Sequence, residues 1–154
     1  MKVSGACHCG EIAFEAEIDP ERVRTCHCTD CQRLSGTAFR VTAPCPEGDF
    51  QLLRGTPRIY LKTAESGQRR VQAFCGTCGT PIYATAAEAV GERVFGLRVG
   101  ILEQREQLVP KRQFWLRSAL PWLPTLPGVG TARHRVRTVA GDLAPWDGCC
   151  WADG

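Results

Sequence analysis

The sequence has no apolar run approaching the ~18 residues that a bilayer-spanning helix needs. Its most hydrophobic late stretch, FWLRSALPWLPTLP, is broken by Arg117 and three prolines. The opening, MKVSGACHCG, offers one lysine and no apolar segment, so no secretory signal is expected. Charge of one sign is scarce as well. A net charge of +3 is too mild to argue for nucleic acid. The one basic cluster, RHRVR at 133–137, reads as a solvated edge strand. Internal repeats, low-complexity tracts and β-α-β alternation are absent. What remains is a chain of 154 residues, 44% hydrophobic and 23% charged, long enough to bury a core of its own. It reads as a single cytoplasmic domain over 1–154, with no membrane partner, nucleic acid not expected and the oligomeric state open.

Cysteine, by contrast, is abundant: ten residues, at 7, 9, 26, 28, 31, 45, 75, 78, 149 and 150. They are clustered as C-x-C, C-x-C-x-x-C and C-x-x-C, which is metal-ligand spacing and not a disulfide framework. Cys75-Gly-Thr-Cys78-Gly is a zinc knuckle, in which a tight turn brings two thiolates to one ion. A knuckle supplies two ligands and needs a second pair.

Around these motifs the pattern has a period of two. EIAFEAEI (11–18) places Ile12, Phe14, Ala16 and Ile18 on one face, as a half-buried strand does. Residues 36–43, 49–55, 57–62, 69–74, 80–85 and 92–102 are further strand candidates bounded by Gly and Pro. One short helix is expected over 29–36, with Thr29 as N-cap and Gly36 as the stop. Residues 84–91 fit a helical turn or a hairpin loop. From about Leu116 the chain reads as irregular. The fold class is therefore all-β, mainly β with one short helix, as a sandwich or folded ribbon.

Seven cysteines lie in the three motifs. Four complete a closed tetrahedral site and three are left, the number expected of an open one. Cys26, Cys28 and Cys31 are close enough in sequence to hold one ion together. Cys7 and Cys9 with Cys75 and Cys78 then form the closed site. His27, between two ligands on an extended segment, points to the opposite face and is a poor fourth ligand. His8 stands in the same relation to Cys7 and Cys9. A closed second site, completed by Cys45, Cys149, Cys150 or a histidine, is the alternative. Cys45, between two prolines, reads as an incidental loop cysteine, and Cys149-Cys150 as tail thiols.

GACHCGEIAFE, CHCTDCQRLSGTAF, FCGTCGTPIY and LRSALPWL, in that order, resemble the glutathione-dependent formaldehyde-activating enzyme family, of the same superfamily as centromere protein V. The resemblance runs from about Ser4 to Leu123 and leaves 124–154 as an irregular extension. It implies a zinc-stabilised folded β-sandwich like that of a zinc-binding Rab chaperone and of methionine-R-sulfoxide reductases. It also implies two zinc ions per chain, structural on Cys7, Cys9, Cys75 and Cys78, and catalytic on Cys26, Cys28 and Cys31. The activity implied is that of a carbon–sulfur lyase of S-hydroxymethylglutathione synthase type, which joins a small-molecule thiol, glutathione, to a small aldehyde, formaldehyde. Where relatives often carry a histidine before the P-W element, this chain has Gln113.

A glutathione-like thiol carries two carboxylates. Arg33, Arg40, Arg69 and Arg70 are candidates to receive them, Arg33 being nearest to Cys31 in sequence. Phe39, Trp115 and Trp122 are candidate pocket walls. A non-catalytic zinc-stabilised binding module is the competing function. A sulfoxide reductase would need a redox cysteine beyond the metal pairs, and none stands in a motif.

Overall fold

Ile12, Phe14, Ala16 and Ile18 are all buried, while Glu11, Glu15 and Glu17 are exposed, so the alternation read from the sequence is the alternation of a sheet with one wet face. In the computed structural model, which describes residues 1–64, 67–89, 91–123 and 130–131, this segment is β2 (Ala13–Glu17). It pairs antiparallel with β1 (Lys2–Ala6) and β5 (Phe50–Arg54) in a three-stranded sheet.

The second sheet has eight strands. They are β3 (Arg24–Cys26), β4 (Arg40–Pro46), β6 (Arg58–Thr63), β7 (Arg69–Phe74), β8 (Pro81–Ala86), β9 (Val94–Arg98), β10 (Arg112–Phe114) and β11 (Gly130–Thr131). Their spatial order is β11-β10-β3-β4-β9-β8-β7-β6. All pairs are antiparallel except those of β10 with β3 and with β11. The described residues are thus mainly β-strand with one α-helix, α1 (Thr29–Ser35).

The two sheets share a core. Phe50 of β5 lies 5.2 Å from Phe14, 5.6 Å from Tyr83 and 5.2 Å from Phe95, measured between ring centroids. Ala43, Cys45 and Leu97 of the larger sheet are 0% exposed in the same cluster. Cys45 is therefore a core residue of β4, not a loop cysteine, and its thiol donates to the Pro46 carbonyl at 3.2 Å.

Cross-strand partners project from the same face of a sheet, and register therefore decides what meets on the other side. Cys26 pairs with Arg40, Thr42 with Arg98, Gly96 with Ala84, Ala84 with Gln72, and Arg70 with Lys62. One face of the large sheet is core; the opposite face carries cysteine, arginine and glutamine around a floor of Gly96 and Ala84.

Local differences from the sequence reading have physical causes. The cap of α1 is Cys28, not Thr29, because the Cys28 sulfur accepts the Cys31 N–H at 3.4 Å. Gly36 ends the helix with φ of 66°, the left-handed turn that favours glycine. The strand expected from residue 36 begins at Arg40. Residues 84–86 continue β8 and form no helical turn. Cys149, Cys150 and the RHRVR cluster lie outside the described residues.

Candidate metal centres and the adjoining cleft

Cys7 closes a turn in which its carbonyl accepts the Gly10 N–H at 2.9 Å and its amide donates to Ile12 O at 3.0 Å. The same hairpin brings the Ile12 N–H to the Cys7 sulfur at 3.2 Å. On the other side, the Cys75 amide donates to Thr80 O and the Gly79 amide to Cys75 O, both at 2.9 Å. The two turns face one another. Cys7 Sγ lies 3.5 Å from Cys9 Sγ, and Cys9 Sγ lies 3.7 Å from Cys75 Sγ. All four sulfurs, with that of Cys78, fall within 4.8 Å of one another.

Those separations exclude disulfides, whose sulfurs stand at about 2.05 Å. They match a tetrahedral zinc, for which sulfurs about 2.3 Å from the ion lie about 3.8 Å apart. The protonation chemistry fits as well. Hydrogen bonds from Thr80, side chain first, pull Cys78 down to about 5. Cys9 feels a downward pull from the Glu11 amide, yet the Cys7 and Cys78 thiols beside it push it up to about 12. Four sulfurs so close resist ionising together unless a cation joins them.

The second group is built by β3 and α1. Cys26 ends β3, the chain passes His27, and Cys28 and Cys31 sit at the cap and first turn of α1. Gln32 locks this geometry: its amide donates to His27 O at 2.7 Å and to Ser118 O at 2.8 Å. The three sulfurs lie within 4.8 Å of one another, and no fourth His, Cys, Asp or Glu among the described residues joins them. The Cys26 and Cys31 thiols hold Cys28 down to about 2, against its burial. The same contacts push Cys26 up, Cys28 first and Cys31 next, with burial adding to them. The trio accepts one negative charge readily and resists the second, which is the behaviour of a soft-donor set that calls for a cation.

His27 does point away from the trio, but it does not reach solvent. It is 1% exposed, and its Nε2 donates to Gln113 Oε1 at 3.0 Å. Its ring lies 5.4 Å from that of Phe39. Burial pushes its pKa below the ordinary histidine range, against the Gln113 contact, so the ring is neutral at pH 7. Gln113, the departure noted in the sequence, is thus the partner of a buried histidine on β10. His27→Ala is expected to leave the metal content unchanged. It should destabilise the fold by about 2–3 kcal/mol, because it removes a buried side chain and leaves the buried Gln113 Oε1 without the His27 donor. Metal analysis and urea unfolding on the same sample read both.

The trio opens onto a cleft of about 1030 Å³ on the polar face of the eight-stranded sheet. Arg40 and Arg70, both anticipated, line it; Arg33 and Arg69 are not among its lining residues, and Arg69 instead pairs with Glu88 at 3.6 Å. Sequence proximity pointed to Arg33, but two residues along a helix turn a side chain by about 200°. Reading missed Arg24, Lys62 and Arg98, which the register of distant strands brings in. Lys62 reaches across from β6 to an ion pair with Asp30 on α1. Arg40 Nη1 and Arg98 Nη2 both donate to Gln72 Oε1, at 3.3 and 2.9 Å. Burial, and then the neighbouring Arg40, push Arg98 down to about 9, which leaves it cationic at neutral pH.

Trp115 lines the cleft too, whereas Phe39 packs on His27 and Trp122 is 53% exposed. Trp115 has φ of 62°, the one described non-glycine residue in the left-handed region. A bulky residue there is strained, and such strain gathers at functional sites. The Arg117 guanidinium lies 4.1 Å from the centre of the Trp115 ring.

Comparison with known proteins agrees with this picture. The sequence profile of the glutathione-dependent formaldehyde-activating enzyme family matches residues 2–118. A Rhodobacter sphaeroides protein solved by crystallography is similar, with 26% identity and a TM-score of 0.50, over 65% of this chain and 87% of that one.

Proposed function

Because the chain belongs to the glutathione-dependent formaldehyde-activating enzyme family, we propose that it is a zinc-dependent carbon–sulfur lyase or synthase. It joins a thiol such as glutathione to a small aldehyde such as formaldehyde, in the manner of an S-hydroxymethylglutathione synthase. The observation that carries this reading is the inequality of the two cysteine groups. Four sulfurs, the full complement of a tetrahedral site, gather in one group, whereas three line a large cleft with no fourth protein ligand among the described residues.

Cys7, Cys9, Cys75 and Cys78 would hold a structural zinc, and Cys26, Cys28 and Cys31 a catalytic one, within a single two-sheet zinc-binding domain. A zinc ion bound by the trio supplies positive charge and Lewis acidity that favour the thiolate form of an incoming thiol at neutral pH.

The chain's own residues do the rest. Gln32 and the α1 cap fix the three sulfurs in place. Trp115 and Phe114 wall the cleft, Phe114 opposite Cys26 across the strand pair. Arg24, Arg40, Arg70 and Arg98 make the cleft cationic, which suits an anionic thiol. Of the arginines expected to meet its carboxylates, Arg40 and Arg70 line the cleft, which supports that role for them, and Arg33 and Arg69 do not line it. In the addition, the thiol sulfur bonds the carbonyl carbon, the C=O π pair moves to oxygen, and oxygen takes up the proton the thiol lost. Nothing is oxidised or reduced. Holding both reactants in one cleft lowers the entropic cost of their meeting. A cytoplasmic location, where thiols stay reduced, belongs to the same reading.

The test is direct. Purified protein mixed with glutathione and formaldehyde should form the hydroxymethyl adduct, or cleave it, faster than buffer alone, as followed by NMR exchange. Adduct chemistry no faster than in buffer would reject the reaction and favour the non-catalytic binding module.

A further inference from the structure

Arg40 and Arg98 line the cleft with almost none of their surface exposed, 6% and 7%. Buried guanidinium groups ordinarily face a carboxylate, because an uncompensated charge out of water is costly. Here their shared partner is neutral: Gln72 Oε1 takes a hydrogen bond from each. The Nε of each arginine is buried with no hydrogen-bond partner. Among the described residues no acid lies within ion-pair distance of either. The acids on the cleft wall are otherwise placed. Asp30 pairs with Lys62, Glu88 pairs with Arg69, and Glu92 makes no ion pair with either arginine.

Placement of the pair follows from register. Arg40 sits opposite Cys26 across β3–β4, and Arg98 opposite Thr42, two residues further along β4 on the same face. Gly96 and Ala84, which separate them from Gln72, have no side chain large enough to intervene. Both guanidinium groups can thus lie across the cleft floor beside the sulfurs. A dication on three thiolates would carry one net negative charge, which offsets one guanidinium and leaves the other. Arg24 and Arg70 add to the same excess.

We infer that the Arg40–Arg98 pair, held by Gln72, is the anion subsite of the cleft: it binds a carboxylate of the thiol substrate and restricts the site to acidic thiols. This rests on the reading that the cleft takes a thiol, and it narrows which thiols. A planar guanidinium pair matches a carboxylate by paired hydrogen bonds, which an uncharged or cationic thiol cannot supply.

The experiment uses the full zinc-loaded chain and S-methylglutathione, which keeps the carboxylates and has no free thiol. Calorimetry should show binding that weakens with salt. Arg98→Met should weaken it about tenfold or more, without lowering the melting temperature, because the change removes a buried unpaired charge. Gln72→Glu is near-isosteric and supplies the missing carboxylate in place. It should also weaken binding while raising the melting temperature. S-methylglutathione diethyl ester, the same probe without carboxylates, should lose comparable affinity on the unaltered protein.

Undetectable binding of S-methylglutathione, or equal binding to both variants, overturns the inference. A melting temperature that falls with binding in both variants assigns the pair a structural role and overturns it as well. So does inorganic phosphate binding as tightly as S-methylglutathione. Because S-methylglutathione cannot form the adduct, the two readings fail separately: a protein that binds it but makes no adduct loses the synthase reading and keeps the subsite.

Discussion

Cys75→Ser is expected to abolish cooperative unfolding at room temperature and to remove one of two metal ions per chain. Cys75 is 0% exposed and belongs to the same buried cluster as Phe14, Ile82 and Leu97. Its sulfur, 3.7 Å from Cys9, ties the turn after β7 to the turn before β2. Structural zinc contributes about 10–16 kcal/mol in small domains. A domain of this kind is stable by only about 5–15 kcal/mol in total. The loss of one ligand therefore consumes most of what holds the fold. Serine is a poor replacement: its hydroxyl is a hard donor that does not ionise at neutral pH. Cys45→Ala is the matched control. Cys45 is equally buried but belongs to neither sulfur group, so it should cost only about 1 kcal/mol and no metal. Urea unfolding followed by circular dichroism, with zinc counted on each variant, decides it. A Cys75→Ser protein that melts like the parent and keeps both ions would remove the structural site.

The partition into four and three was legible because ligand spacing is local. C-x-C and C-x-x-C each place two sulfurs on one turn, and the chain then has only to bring two turns together. Strands with strong alternation were legible for the same reason, as in β2 and in β7, where RRVQAF spans the observed Arg69–Phe74. The strands that escaped are those whose own residues carry little signal. β1 is KVSGA, and its Gly5 lies against Phe14, where an added Cβ would come within 2.5 Å of the ring. β3 and β10 have three residues each and exist because they pair in parallel with one another across most of the chain. The Cys28 cap escaped because sulfur is not among the usual capping acceptors. The cationic cleft was legible only in part. Arg40 and Arg70 were candidates for its lining, but Arg98 read as a polar position in a separate strand, and only the register of β3, β4 and β9 puts it beside Arg40 on the face of Cys26. Proximity along the chain favoured Arg33, which is exposed and does not line the cleft.

Cys31→Ser should separate chemistry from stability. Cys31 stands in the first turn of α1, half-buried at the cleft, and is not a member of the core cluster. The helix does not depend on its sulfur: the Cys31 N–H bonds the Cys28 cap, and Ser35 and Gly36 close the other end. Serine preserves both and is only slightly smaller. The side-chain change itself should therefore cost no more than about 1 kcal/mol, with only the metal binding lost from the trio adding to it. The metal count should nevertheless fall from two to one, because two thiolates without a third are a weak site on an open cleft. Adduct formation should fall by at least about 100-fold, more than changes to outer partners of a metal site cost. Binding of S-methylglutathione should survive, since Arg40, Arg98 and Gln72 are untouched. The three readouts together identify the cause. Loss of metal and activity with binding retained places the reaction at the trio. If activity persists with one ion gone, the reaction does not run through Cys31. If both ions remain, the trio does not hold the second one. Cys31→Ser thus tests the open site just as Cys75→Ser tests the closed one, and unequal effects on stability are what two chemically distinct sulfur groups in one chain require.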